Sequence, residues 1–226
     1  MRDIIYLIST WLCPVLIAIT MHEAAHGYVA WRLGDPTAKK QGRVSFNPLK
    51  HIDPVGTILI PGLLILVRAP FLFGFAKPVP VIFMNLRRPR RDMVLVALAG
   101  PGMNLALALV SAFLIHLALL SPKTIEPWLI QNLINSILIN LVLMVFNLIP
   151  LPPLDGGRVA VGLLPYPWSG RLARLERHGL LILIGLIFVL PLISEQVGID
   201  LNLFVWLIGV PVEILFNMVK FVSGLG

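Results

Sequence analysis

Residues 93–122, MVLVALAGPGMNLALALVSAFLIHLALLSP, and 127–154, PWLIQNLINSILINLVLMVFNLIPLPPL, contain no Asp, Glu, Lys or Arg. A helix crosses the hydrocarbon core of a bilayer with about 20 predominantly apolar residues, so each stretch is long enough to span. The rest of the chain agrees. Of its 226 residues 58% are hydrophobic and 13% charged, with a mean hydropathy of +0.90. Soluble domains carry about 45–50% apolar and about 25% charged residues. The composition therefore excludes a water-soluble domain, a disordered chain and a secreted disulfide scaffold. It predicts an all-α polytopic membrane protein.

Four further apolar stretches flank these two, at 4–21, 55–75, 179–194 and 201–222. The first runs without a cleavage signal into His22-Glu23-Ala24-Ala25-His26, and its helical pattern continues to Arg32 before Gly34-Asp35-Pro36 stops it. The second is broken by Pro61, Gly62, Arg68 and Pro70. Short extended segments are expected at 42–46 and at 77–83. Pro78 and Pro80 make the latter an edge strand, which a substrate segment could extend by strand addition.

Charge orients the chain. Five basic residues lie in 32–50 and five in 77–91, with four arginines in 158–177. Basic loops face the cytoplasm, so 32–50 and 77–91 are expected on one side and 55–75 re-enters instead of crossing. The expected topology has about five spanning helices, an outside N-terminus and an inside C-terminus. It forms a single integral domain over 1–226, with a core at about 5–165 and a C-terminal helical pair at 179–222. The net charge of +7 then reports topology, and no basic stretch interleaved with aromatics suggests nucleic acid. Cys13 has no partner for an intrachain disulfide.

His22 and His26 are four apart on a helix, so both imidazoles project from one face about one turn apart. That spacing suits one zinc ion at about 2.0–2.1 Å from each nitrogen. Glu23, about 100° around the helix, stands beside the metal as a general base. With five His and five Glu in the chain, composition predicts roughly 0.002 chance occurrences of H-E-x-x-H. Ionisable groups inside a spanning segment are costly and mark function.

A catalytic zinc needs a third protein ligand and an open position. Asp155, Glu126, Glu176, Glu213, His51, His116 and His178 are the candidates. The expected topology favours Asp155, which ends the fourth apolar stretch on the side of His22 and His26. Asp155 can equally cap a helix before Gly156-Gly157. Glu126 and His116 fall toward the opposite side, Glu176 and His178 lie among arginines, and Glu213 interrupts the last apolar stretch.

H22-E-A-A-H26, A99-G-P-G-M-N104 and N147-L-I-P-L-P-P-L-D155-G-G together resemble the site-2 protease family of intramembrane zinc metalloproteases. F46-N-P-L-K-H-I-D-P-V-G56 and F75-A-K-P-V-P-V81 are similar to its compact bacterial branch. The resemblance covers about residues 5–165. It implies one Zn2+ per chain on His22, His26 and Asp155, Glu23 as base, Asn147 near the substrate and Asn104 in helix packing. It also implies a substrate with a transmembrane segment, cut in or near the bilayer of a bacterial cytoplasmic membrane, with the active site toward the cytoplasm. Without it, the same residues allow a membrane transporter or a non-cleaving binder of membrane helices with a metal site.

Overall fold

The computed structural model describes residues 2–59, 63, 66, 77–189 and 205–226. Long apolar runs dictate its long helices. These are α1 (Arg2–Arg32), α3 (Pro89–Ala118) and α4 (Glu126–Asn147), with short α2 (Thr37–Lys40) between the first two. Then come α5 (Asp155–Leu163), α6 (Trp168–Arg174), α7 (Glu176–Ile184) and α8 (Val210–Ser223). Among the described residues, four helices are long and apolar enough to cross a membrane: Ile4–Arg32, Pro89–Ala118, Glu126–Asn147 and Val205–Ser223.

Burial is inverted relative to a soluble protein. Ile4, Leu7, Leu12, Phe113 and Leu117 are exposed, while Thr10, His22, His26, Asn104, Asn135 and Asn140 are buried. A lipid solvent imposes this pattern, because apolar side chains can face outward and polar ones must find partners inside. Small residues let the helices approach: Ala18, Ala24, Ala25 and Ala30 on α1, and Ala97, Ala108 and Ala112 on α3, are all buried. Ala108, Ala112 and Ile115 of α3 pack with Ile137 and Leu141 of α4 and with Val212 and Val219 of α8.

Cross-helix bonds set the directions. His22 pairs with Asn104 and His26 with Val96, so α1 and α3 are antiparallel. Asn104 pairs with Asn140 and Ser111 with Ser136, so α3 and α4 are antiparallel too. His116 Nε2 bonds the carbonyl of Ser223 at 2.7 Å, which sets the end of α8 beside the end of α3. That end of the bundle also holds the Ser9–Trp128 bond near the start of α1. Both chain ends therefore lie at the end remote from the histidines, which corrects the expected opposite-side termini. Gly179 packs against Pro152 at the histidine end, and the expected crossing at 179–194 runs into residues 190–204, which lie outside the described residues.

The expected strands are also absent among the described residues. Segment 77–82 is extended but pairs with side chains instead of a ladder. Arg43 Nη2 takes the carbonyl of Lys77 at 2.5 Å, and Val79 and Ile82 donate to Glu23 and Asp35. Lys77 N–H is taken by the carbonyl of His51. Pro78 and Pro80 have no N–H to offer. A substrate strand would find most of this edge already used. Segment 42–46 makes no ladder either. The expected re-entrant stretch 55–75 lies mostly outside the described residues, as does all of 190–204.

Candidate metal centre

Helix α1 carries His22 and His26 one turn apart, as their spacing requires, with Nε2 atoms 3.0 Å from each other. Helix α5 supplies the third group. Asp155 Oδ2 lies 3.3 Å from His22 Nε2 and 3.2 Å from His26 Nε2, and all three residues are buried. Asp155 is the first residue of α5, one position past its N-cap Leu154. Gly156 and Gly157 make its position attainable. A Cβ on Gly156 would fall 2.6 Å from the carbonyl oxygen of Ile149, and one on Gly157 would strike Pro152.

The outer face of each imidazole decides what the inner face can do. His22 Nδ1 donates to Asn104 Oδ1 at 2.6 Å, and His26 Nδ1 donates to the carbonyl of Val96 at 2.7 Å. Both partners are acceptors only, so each ring proton sits on Nδ1 and each Nε2 presents a lone pair. Two lone pairs and a carboxylate oxygen thus converge in a buried space. Asp155 Oδ2 has no hydrogen-bond donor there. A cation of zinc's preference satisfies all three, and the oxygen acceptors behind the imidazoles are those that orient metal-binding histidines. The residues present fit zinc.

Helix α3 builds the back wall. Val96, Gly100 and Asn104 are spaced by four, on one face. Val96 and Asn104 hold the two rings, and Gly100 lies against both: a Cβ there would sit 2.6 Å from His22 Nε2 and closer still to His26 Nε2. Glu23, half-buried, accepts the Val79 N–H at 2.8 Å. The sequence reading placed Asn104 in helix packing. It missed its hydrogen bond to His22, and with it the roles of Val96, Gly100 and Val79. The four-residue spacing within 96–104, matched to that of His22 and His26, was the available signal.

The other candidate ligands lie elsewhere. Glu126 pairs with Lys123 at 2.7 Å, Glu176 stands 3.9 Å from Arg158, and His116 bonds Ser223. His51 is bound to the carbonyl of Ser45 at 3.0 Å, and His178 and Glu213 are exposed. Asn147, half-buried at the end of α4, donates to the carbonyl of Leu143 at 2.9 Å within its own helix.

The candidate zinc metalloprotease YwhC of Bacillus subtilis is 42% identical to this chain over 201 residues, covering 87% of this chain and 86% of that protein. The chain belongs to Peptidase family M50. The family's profile matches residues 117–192, which include Asn147 and Asp155. A Mycobacterium tuberculosis relative, the candidate zinc metalloprotease Rip2, is 32% identical over 152 residues. The match covers 67% of this chain and 54% of the relative. Rip2 of Mycolicibacterium smegmatis is 30% identical over 153 residues, with the same coverage. No solved structure matches the chain. As a member of M50 the chain is an intramembrane zinc metalloprotease, and the resemblance to site-2 proteases holds.

Proposed function

We propose that His22, His26 and Asp155 hold the single zinc ion of this M50 protease and that Glu23 is its general base. One observation supports this above the rest. Two imidazole lone pairs and one donor-free carboxylate oxygen lie within 3.0–3.3 Å of one another in a buried space. When bound, zinc lowers the pKa of a water molecule and polarises the scissile carbonyl. Glu23 Oε removes a proton from the attacking water and delivers it to the leaving amide nitrogen. The Val79 N–H holds the Glu23 carboxylate in place meanwhile. Asn147 sits one turn beyond Leu143 at the end of α4, with its Nδ2 spent inside the helix. Its carbonyl oxygen is the atom proposed to hold substrate.

The substrate is proposed to be a membrane protein whose transmembrane segment unwinds before it is cut, since helical carbonyls are held in i→i−4 bonds. The antiparallel pairing of α1 and α3 supports a connection that leaves and returns on one side of the bilayer. The basic residues of 32–50 and 77–91 support placing that side, and the active site, in the cytoplasm. On this reading the N-terminus is outside, and the chain forms one integral domain over 1–226. A bacterial cytoplasmic membrane fits relatives that are all bacterial.

X-ray absorption at the zinc edge of the purified protein tests the ligand set. The expected shell has nitrogen and oxygen donors at about 2.0–2.1 Å, with scattering from two imidazoles. A sulfur shell at about 2.3 Å, or one imidazole alone, would overturn it.

A further inference from the structure

His22 keeps a free lone pair on Nε2 only while the Asn104 amide turns its oxygen toward Nδ1. An amide has an acceptor end and a donor end of nearly equal shape. Reversed, Asn104 would offer its NH2 to Nδ1, the ring proton would move to Nε2, and the face toward Asp155 would be blocked. The orientation is dictated from outside the site. The carbonyl of Ser136 can only accept, so Asn140 must donate its Nδ2 there, at 2.8 Å. That leaves Asn140 Oδ1 facing Asn104, whose Nδ2 donates to it at 2.8 Å. Asn104 Oδ1 is thereby aimed at His22 Nδ1. The Ala18 carbonyl, at 3.4 Å from Asn104 Nδ2, is a weaker second acceptor. Asn104 and Asn140 are both 0% exposed.

We propose that Asn140, two turns above the end of α4, is a positioning residue of the metal centre that acts through Asn104 to fix the metal-binding face of His22. The backbone carbonyl of Ser136 sets the polarity of the whole relay. Ordinary packing glue between membrane helices needs no such directionality, since either amide orientation would bond. This inference rests on His22 being a zinc ligand.

The test measures zinc affinity of the full chain in detergent, by competition with a chelating indicator. Asn140→Ala is expected to weaken zinc about tenfold, in the range of second-shell losses at metal sites. Asn140→Leu, which fills the space, should do the same and serves if the alanine variant fails to fold. Asn140→Asp keeps an oxygen acceptor for the Asn104 amide and should stay within about threefold of the parent. In an Asn104→Asp background a carboxylate offers oxygen either way round, so adding Asn140→Ala should cost less than about twofold. Parent affinity in Asn140→Ala or Asn140→Leu overturns the proposal, as does a tenfold loss that persists beside Asn104→Asp. His22→Ala separates the two readings. If it releases zinc while the Asn140 variants do not, the positioning role alone fails; if it keeps zinc, the ligand reading fails and this one with it.

Discussion

The backbone N–H of Val79 donates to Glu23 Oε2 at 2.8 Å, tying the proposed base to a segment 56 residues away in sequence. The segment is fixed on both sides of that bond, by Arg43 at Lys77 and by Asp35 at Ile82. Glu23 is therefore held in place from outside α1.

Val79→Pro removes this donor in a stretch that already contains Pro78 and Pro80. A hydrogen bond to a charged group is worth about 1.5–3 kcal/mol, so turnover of a membrane substrate should fall at least about tenfold. Zinc content should not change. Assaying cleavage and metal on the same preparation checks both.

Gly100→Ala places a methyl group against His22 and His26. Zinc affinity and cleavage should both fall by more than about tenfold. Gly102→Ala is the matched control: nothing lies within 4 Å of a Cβ there, and Ala in a helix is favoured over Gly by up to about 1 kcal/mol. It should leave zinc and activity unchanged.

Asp35 gives the loops beside the site a pH dependence. Burial pushes its carboxyl up, but bonds from the Thr37 hydroxyl, the Asn85 amide and the Ile82 and Thr37 N–H groups outweigh it and hold the pKa below the ordinary aspartate value. Its contribution to stability is therefore present above the ordinary value and lost as pH falls through the lowered one. Thermal melts should show the parent losing stability below about pH 4. Asp35→Asn should melt lower at neutral pH and lose less on acidification.

Removing zinc should destabilise the bundle, because three electron-rich atoms would then face one another without a cation. A ligand that binds only the folded state stabilises by about 2.7 kcal/mol at a hundredfold excess over its dissociation constant. Chelation should lower the melting temperature and abolish cleavage. Zinc should restore both, and magnesium, which prefers all-oxygen octahedral sites, should restore neither.

The membrane class and the histidine pair were legible in the sequence because both rest on local spacing: unbroken apolar length for 93–122 and 127–154, and i, i+4 for His22 and His26. Asp155 was only favoured by the charge-based topology, since α5 brings it to the histidines from 129 residues beyond His26 in the sequence. The resemblance to a family singled it out. Asn104, Gly100 and Val96 act on rings carried by another helix, and nothing in their own segment names that neighbour. The 77–83 segment looked like a strand from its alternating valines and prolines, whereas the carboxylates of Glu23 and Asp35 took its donors before any partner strand. Apolar length at 179–194 and 201–222 permits crossings without fixing their number, so it does not by itself set the end of α8 beside the end of α3.

The account depends most on Glu23 doing chemistry beside a zinc ion it does not hold. The decisive measurement is zinc per chain together with single-turnover cleavage in purified Glu23→Gln, with Asp155→Ala alongside. Glu23→Gln should carry one zinc and cut nothing, and Asp155→Ala should lose the metal. Cleavage by Glu23→Gln at the parent rate, or full zinc in Asp155→Ala, would contradict it.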